Sequence, residues 1–364
     1  MAILDRRAFL AAVSAFAIAP EDLGADSGAP YAVSTKTVTY ASPGGKDLEL
    51  DLYLPQRLKG RAPVIVFLHG GGWSGGTTTT GPDFKRFFAQ DGFAMASIEY
   101  GLTPSITFPS NAEDVKTAIR WLRANADSYG LNPHKFGLWG TSAGGHLAAV
   151  AALAPNGMFE GQGNLDQSSG VQCVLDAYGP SSFDLMDAET LDEKATLQPV
   201  SPALANAPPM IAGVVAGNPA DADRRPGPPP GPVPHDDRNS AESRLVGAPI
   251  QTVLDKVKFA SPLTYVKGGA PPFLLMHGLA DNSVPYHQSI LLYDALAAAG
   301  NDVILRLVDG LPHTFFNRSN LDELAGPFRM DVRTHAVGGH ESRSVERAGV
   351  FDVARAYFVK YLTS

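Results

Sequence analysis

The sequence predicts an α/β fold in which helices flank a mostly parallel central sheet. Two continuous apolar runs, Pro63–Leu68 and Phe273–Met276, have the composition of strands that are buried on both faces of a sheet. Between them, Asn111–Ala126 places Val115 and Ile119 at the spacing of a helix that packs on a sheet. Strands that alternate with helices are typical of parallel sheets, in which ligands bind at the carboxyl ends of the strands.

Other segments extend this alternation in chain order. Thr35–Tyr40 and Asp47–Leu54 alternate apolar and polar residues, as an opening pair of antiparallel strands would. Phe93–Ile98 is a further buried strand, and Gln288–Ala299 is a later helix. A last helix, Glu346–Leu362, is expected to end the fold. With 364 residues, 44% of them hydrophobic, the chain can bury the core of one large domain, which we expect over residues 34–364.

The most informative motif is the stretch G-T-S-A-G centred on Ser142. The apolar run Lys135–Trp139 precedes it, and the Ala-rich run Gly145–Leu153 follows it. A strand, the pattern G-x-S-x-G and a helix together form the context of a nucleophile elbow. Gly140 and Gly144 leave room for the tight turn. We therefore expect the Ser142 hydroxyl at the carboxyl edge of the sheet.

A glycine loop, H-G-G-G-W, follows the strand Pro63–Leu68. Residues without side chains let backbone N–H groups approach a ligand, and the tetrahedral intermediate of an ester needs such donors. The loop alone is equally consistent with a flexible turn. Together with the elbow, it predicts an oxyanion hole formed by the N–H groups of Gly71, Gly72 and Ala143. The supporting residues are His69, Gly70, Trp73, Gly140 and Gly144.

Two further strand ends carry candidate partners for Ser142. Asp281 lies just past the end of the run that begins at Phe273, and His313 follows the strand Val303–Val308. The chain order Ser142, Asp281, His313 is that of α/β-hydrolases. We expect His313 to take the proton of Ser142, and Asp281 to hold the imidazole tautomer and stabilise the imidazolium.

Other residues compete for these roles. His69 is expected to brace the glycine loop, and His146, in the helix after the elbow, to be structural. His277 lies on the same strand end as Asp281, is expected to be buried, and is the second choice of base. Asp309 is too near His313 in sequence to be the usual acid.

The remaining candidate histidines lie late in the chain. His335 and His340 fall in a shorter polar insertion, about Asn317–Ser344, which separates His313 from the last helix. No strand end adjoins either histidine in this interpretation. The insertion is a candidate rim of the pocket.

These motifs resemble the esterase/lipase group of α/β-hydrolases that carry H-G-G-G, which includes the hormone-sensitive-lipase-like enzymes. Within it, the chain is similar to the bacterial branch of bifunctional feruloyl and acetyl-xylan esterases. The matching segments are His69–Trp73, Asp114–Lys116, Ala118–Arg123, Gly140–Leu147, Met276–Pro285 and Gln288–Ser289. The similarity spans about residues 38–362. The chain departs from that branch at Gly101, where arginine usually follows the tyrosine, and at Thr314, where glycine usually follows the histidine.

The resemblance implies a serine carboxylic-ester hydrolase that needs no cofactor and works through an acyl-enzyme. It also implies short or aromatic acyl groups on small-molecule or carbohydrate alcohols as substrates. A longer-chain lipase and a serine peptidase of the same fold are alternatives, although the chain is too short for the propeller domain of prolyl-oligopeptidase relatives. An inactive binding protein of this fold is the least favoured alternative, because serine, acid and histidine are all present.

Composition excludes several other classes of function. The net charge of −8 and the lack of a basic stripe argue against nucleic acid as a partner. The single cysteine, Cys173, rules out an intrachain disulfide and is expected in the core. No Cys/His cluster has metal-ligand spacing, and His235–Asp237 fits a solvated loop better than a cation site. The sequence leaves the oligomeric state open.

The N-terminus predicts export. Leu4–Leu10, with Arg6 and Arg7, resembles a twin-arginine signal, and the largely apolar stretch Ala11–Ala19 is too short to span a bilayer. We expect residues 1–25 to be a cleaved signal segment that directs the protein to a bacterial periplasm or beyond. The cleavage point stays open between two small-residue sequences that end at Ala19 and Ala25.

One segment departs from the core pattern. Between Pro199 and Pro234 lie eleven of the chain's 29 prolines, a composition typical of an irregular or polyproline-like loop. It falls between the sixth strand and the strand that carries Asp281. Phe183 to about Val257 is therefore interpreted as a cap-like insertion that shapes the pocket. The alternative is a decoration that does not contact the site.

Overall fold

A computed structural model describes residues 30–193, 197–205 and 234–364. Within these residues, ten strands form one sheet. The strands are β1 (Val33–Ala41), β2 (Leu48–Pro55), β3 (Ala62–Leu68), β4 (Ala94–Ile98), β5 (Leu131–Thr141), β6 (Cys173–Ala177), β7 (Phe273–Gly278), β8 (Val303–Val308), β9 (Phe328–Ala336) and β10 (His340–Ala348). Their spatial order is β1-β2-β4-β3-β5-β6-β7-β8-β9-β10.

The centre of the sheet is parallel and its two edges are antiparallel. Every pairing from β4 through β3, β5, β6 and β7 to β8 is parallel. At one edge, β1 pairs with β2 and β2 with β4 in antiparallel fashion, and at the other edge β8, β9 and β10 do the same. The predicted α/β architecture with a mostly parallel central sheet is confirmed.

Helices cover both faces of the sheet. In the described residues they are α1 (Ser110–Ala124), α2 (Ala126–Tyr129), α3 (Ala143–Leu153), α4 (Met186–Glu193), α5 (Pro202–Ala205), α6 (Ala241–Val246), α7 (Leu254–Ala260), α8 (His287–Ala298), α9 (Leu321–Ala325) and α10 (Val350–Leu362). None of these helices has the length and apolar content needed to cross a membrane.

Strand β3 shows why its sequence is apolar throughout. Val64 and Val66 point into the core layer that includes α1, α3 and α8, whereas Ile65 and Phe67 point into the opposite layer with α10. Alternate side chains of a strand face opposite sides, so a strand covered on both sides needs apolar residues at every position. Cys173 at the start of β6 is likewise buried, as predicted.

The predicted elements before His313 have the right type, with bounds that differ by a few residues. The opening pair is antiparallel, with Val38 opposite Leu50. The helix predicted over Asn111–Ala126 is α1, which ends at Ala124, and the helix predicted over Gln288–Ala299 is α8.

The prediction for the region after His313 was wrong. The predicted polar insertion, about Asn317–Ser344, contains most of the β9–β10 hairpin, so His335 and His340 lie in strands. The last helix begins at Val350 rather than Glu346, because β10 continues to Ala348. An edge hairpin buries only one face, so charged residues alternate with apolar ones along β9 and resemble a polar loop.

The segment interpreted as a cap is built from short helices where the structure describes it. Helices α4 to α7 all lie in the connection between β6 and β7. Most of the proline-rich stretch Pro199–Pro234 falls within residues 206–233, outside the described residues.

Candidate active site

Ser142 occupies a sharp turn between β5 and α3. Its φ and ψ are 55° and −122°, a conformation that residues with a side chain rarely adopt. The Ser142 N–H donates to the carbonyl of Ala177 at 2.8 Å, and its carbonyl accepts from the N–H of His146 at 3.1 Å. The backbone on both sides thus holds the serine in a strained position.

The two glycines of the elbow are required by close backbone approach. A Cβ on Gly140 would lie 2.0 Å from the carbonyl oxygen of Gly144, and a Cβ on Gly144 would lie 2.1 Å from that of Leu68. Both distances are far below van der Waals contact. The turn can therefore pack onto the end of β3 only with glycine at these positions.

The three residues predicted to act together are in hydrogen-bond contact. His313 Nε2 lies 2.9 Å from Ser142 Oγ, and His313 Nδ1 lies 2.6 Å from Asp281 Oδ2. With Nδ1 protonated, the imidazole donates to the carboxylate and its Nε2 can accept the serine proton. This is the arrangement of a nucleophile, a base and an orienting acid.

Asp281 is a buried carboxylate whose oxygens all have donors. Oδ1 accepts the backbone N–H groups of Ser283 and Val284 at 2.8 and 3.0 Å. Burial by itself raises the pKa of Asp281. The charge on His313 and hydrogen bonds from His277 and His313 outweigh burial and lower that pKa below its ordinary value. The carboxylate is therefore ionised and able to stabilise a positive charge on His313.

Neighbouring residues fix the position of His313. Its ring packs against Tyr178, with the ring centroids 4.8 Å apart and the planes at 61°. Thr314, at the position where the resembling branch has glycine, has a left-handed φ of 62°. A β-branched residue in this region is strained. No local sequence pattern marks Tyr178, because its ring contacts a histidine that lies far along the chain.

Three backbone N–H groups near Ser142 have no acceptor within the described part of the chain. They belong to Gly71, Gly72 and Ala143. Ala143 is the first residue of α3, where an N–H has no intrahelical partner and the helix dipole favours negative charge. These groups have the chemistry of an oxyanion hole.

His69 and Tyr100 support the start of the glycine loop. The two rings stack with their centroids 4.4 Å apart, and the Tyr100 hydroxyl donates to the His69 carbonyl at 2.7 Å. His69 Nδ1 lies 2.8 Å from the carbonyl of Gly70. These contacts fix the loop that carries Gly71 and Gly72.

A second support joins the glycine loop to α3 and α7. Trp73 Nε1 donates to His146 Nδ1 at 3.2 Å, and His146 Nε2 donates to the carbonyl of Ala260 at 2.7 Å. Both side chains are buried. Burial lowers the pKa of His146 from 6.5 to about 4, so the imidazole is neutral, in the state that can accept from Trp73.

The competing residues lie in other environments. His335 is buried and contacts the carbonyl of Asn301, whereas Asp309 pairs with Arg329. His235 lies 3.2 Å from Glu242. Across the described ranges, no group of three or more His, Cys, Asp or Glu side chains could hold a metal ion. His277 is buried beside Asp281, with its Nε2 3.2 Å from Asp281 Oδ2.

Strain at Ser142 predicts a difference in stability between two variants. Ser142→Gly removes the side chain that makes φ 55° unfavourable, whereas Ser142→Ala keeps a Cβ there. Relief of about 1–3 kcal/mol, less about 0.5–1 kcal/mol for the entropy of glycine, should make the glycine variant more stable by about 1 kcal/mol. Urea unfolding of both variants measures this. Equal stabilities would show that the turn is not strained.

The neutral state of His146 predicts a pH-dependent contribution to stability. In the unfolded chain, His146 binds a proton below pH 6.5, its ordinary pKa. In the folded chain, His146 takes up this proton only near pH 4. This contribution to the free energy of unfolding is complete above pH 6.5 and falls by up to about 1.4 kcal/mol per pH unit towards pH 4. His146→Gln lacks it, so the stability advantage of the wild type should shrink in acid. Urea unfolding at several pH values measures the difference, and a constant difference would contradict the prediction.

Comparisons with known proteins agree with this architecture. Esterase LipQ of Mycobacterium tuberculosis is 32% identical over 274 residues, which cover 74% of this chain and 54% of that protein. A probable carboxylic ester hydrolase of the same organism, LipM, is 29% identical over 241 residues, which cover 66% of this chain and 46% of that protein. The chain thus spans about half the length of the curated relatives it matches.

Solved structures are similar over most of the chain. A truncated carbohydrate esterase from gut microbiota is 25% identical, with a TM-score of 0.62 over 82% of this chain and 95% of that one. A propionate-bound thermophilic esterase from Thermogutta terrifontis is 26% identical, with a TM-score of 0.56 over 80% of this chain and 89% of that one.

These neighbours and the mostly parallel sheet establish the α/β-hydrolase fold, and the resemblance to esterases predicted from the motifs is confirmed. Residues 50–216 and 219–296, more than half of the chain, match the BD-FAE family model. The chain therefore belongs to the BD-FAE family.

Proposed function

We propose that this protein is a serine carboxylic-ester hydrolase that works through an acyl-enzyme. The observation that carries the proposal is the continuous contact from Ser142 Oγ to His313 to Asp281, at 2.9 and 2.6 Å. N–H groups without an acceptor among the described residues lie in the adjoining glycine loop and at the start of α3. The esterases among its relatives support the same activity.

The first half of the reaction forms the acyl-enzyme. Ser142 Oγ attacks the ester carbonyl carbon while its proton moves to His313 Nε2. The carbonyl oxygen becomes an oxyanion that accepts from the N–H groups of Gly71, Gly72 and Ala143. The carbon–oxygen bond to the alcohol then breaks, and His313 returns the proton to the departing alcohol.

The second half of the reaction releases the acid. Water gives a proton to His313 Nε2 and attacks the acyl carbon, and the oxyanion forms again at the same donors. The bond to Ser142 Oγ breaks, and His313 returns the proton to the serine. Asp281 stabilises the imidazolium in both halves, because its carboxylate is ionised and contacts Nδ1 directly.

The proposed substrates are short-chain or aromatic acyl esters of carbohydrates. One similar structure is described as a carbohydrate esterase, and another holds propionate, a short acid. The family resemblance of the motifs supports the same class.

A series of p-nitrophenyl esters from acetate to palmitate tests this proposal. The wild type should hydrolyse the short esters fastest, and Ser142→Ala should lose activity by about six orders of magnitude in kcat, the loss found when a serine protease loses its nucleophile. A rate that rises towards palmitate would favour a lipase. A rate unchanged by Ser142→Ala would overturn the assignment of the nucleophile.

We also propose that the cap-like insertion, Phe183 to about Val257, shapes the ester pocket. Phe183 packs against Trp73, with ring centroids 5.5 Å apart, and Ala241 Cβ lies 3.3 Å from where a Cβ on Gly72 would stand. Both contacts reach the glycine loop. They support a functional insertion over a decoration that does not contact the site.

Enlarging Ala241 tests the role of the cap. Ala241→Phe should raise KM for p-nitrophenyl butyrate more than for the acetate, because a ring beside Gly72 would leave less room for the longer acyl group if the cap shapes the ester pocket as proposed. Ala298→Phe, at an exposed position near the end of α8, is the matched control. Equal effects of both variants on the KM of both esters would show that the cap does not shape the pocket.

Export to the periplasm or beyond is proposed from the sequence of residues 1–25, which lie outside the described residues. Replacing Arg6 and Arg7 by lysine should retain the protein in the cytoplasm of a bacterial host, since the paired arginines are the feature that resembles a twin-arginine signal. The same replacement at Arg57 and Arg61 serves as the control. Esterase activity in periplasmic and cytoplasmic fractions measures the outcome, and unchanged export of the first variant would reject this signal.

A further inference from the structure

Asp281 is held by two imidazoles rather than one. Its Oδ2 lies 2.6 Å from His313 Nδ1 and 3.2 Å from His277 Nε2. The side chains of His277 and Asp281 are both 0% exposed. His277 is the second-last residue of β7 and lies four residues before Asp281. The end of this one strand therefore supplies both the acid and its second imidazole partner.

The surroundings of His277 select one tautomer. Its Nε2 faces two groups that only accept, Asp281 Oδ2 at 3.2 Å and the carbonyl of Val284 at 3.0 Å. An unprotonated Nε2 would place three lone pairs against each other in a buried site. The proton of a neutral His277 therefore resides on Nε2, and its Nδ1 is an acceptor.

Ser289 supplies the donor that this tautomer needs. Its Oγ lies 2.8 Å from His277 Nδ1, and the serine is buried in the first turns of α8. The adjacent Gln288 fixes this end of the helix, because its Oε1 accepts the N–H groups of Ser181 and Ser182 at 2.7 Å each. Ser289 O–H thus points to Nδ1, and the Nε2–H of His277 is shared between the carbonyl of Val284 at 3.0 Å and Asp281 Oδ2 at 3.2 Å.

The second imidazole adds a further restraint on rotation of the carboxylate. Oδ1 is occupied by two backbone N–H groups, and Oδ2 by His313 and His277. Without His277, Oδ2 would have one partner fewer, and the carboxylate could rotate about its Cβ–Cγ bond. Because His313 Nδ1 is hydrogen-bonded to Oδ2, rotation of the carboxylate would also move His313 Nε2 relative to Ser142 Oγ.

We propose that His277, held as the Nε2–H tautomer by Ser289, is a positioning residue that acts on the reaction through Asp281. The inference rests on the proposed esterase function and extends the run of polar contacts to five side chains, from Ser142 through His313, Asp281 and His277 to Ser289.

Paired variants test the inference with p-nitrophenyl acetate. His277→Leu removes the donor and should lower kcat by about a hundredfold, the cost of a misplacement of about 1 Å, with little change in KM. His277→Gln keeps a side-chain N–H that can reach Asp281 and should recover most of that loss. Ser289→Ala removes only the donor to Nδ1, so its kcat should fall between those of the wild type and His277→Leu even where the leucine variant folds poorly.

A double-mutant cycle separates positioning from general damage to the fold. In an Asp281→Asn background, His277→Leu should cause little further loss of kcat, because the residue through which it acts is already altered. A full additional loss in that background would overturn the inference. Wild-type kcat in folded His277→Leu or in Ser289→Ala would overturn it as well.

His335→Leu is the matched control. This histidine is also buried and also loses a hydrogen bond, to the carbonyl of Asn301, but it lies on β9 away from Ser142. It should lower stability and leave kcat unchanged. An inactive wild type would reject the proposed function itself, whereas an active wild type that needs Ser142 but not His277 would reject only this inference.

Discussion

The parallel pairing of β3, β5, β7 and β8 through one sheet is the constraint on which the candidate site depends. Parallel strands end at the same edge, so the segments that follow them meet there whatever their separation in sequence. The glycine loop follows β3, Ser142 follows β5, Asp281 follows β7 and His313 lies in the loop after β8. A shift in the register of any of these strands would move one group away from the others, and the apolar side chains packed on both faces of the sheet oppose such a shift.

The site contains energetically unfavourable features, which the packing of the sheet has to offset. Ser142 and Thr314 both have positive φ, and they flank the contact between the serine and His313. Asp281 is ionised although it is buried, because donors surround its carboxylate. A positive φ at a residue with a side chain and an ionised carboxylate removed from water are both unfavourable unless their surroundings support them. The core on both faces of the sheet offsets them, and the result is a set of polar groups held in contact before any substrate arrives.

Support for the site comes from several parts of the chain. The Trp73–His146 hydrogen bond joins the glycine loop to α3, the helix after the elbow. The same imidazole donates a second hydrogen bond to the carbonyl of Ala260 at the end of α7. Ser289 in α8 reaches the acid through His277. The glycine loop, Ser142 and Asp281 are therefore each supported by a helix that packs against the sheet. Residues as distant in sequence as Trp73 and Ala260 are thereby joined through His146.

Local patterns in the sequence were sufficient for the main elements and for the order Ser142, Asp281, His313. Apolar runs mark strands buried on both faces, and G-x-S-x-G between a strand and a helix marks the elbow, because the turn needs glycine for close backbone approach. The β9–β10 hairpin was missed, since a strand at the sheet edge buries one face and its charged residues resemble a loop. The contacts of Tyr178 with His313 and of Ser289 with His277 join residues far apart in sequence, or on separate elements, that carry no motif. Such contacts arise when the sheet and α8 pack together, so the partners of a side chain follow from the folded chain rather than from its local pattern.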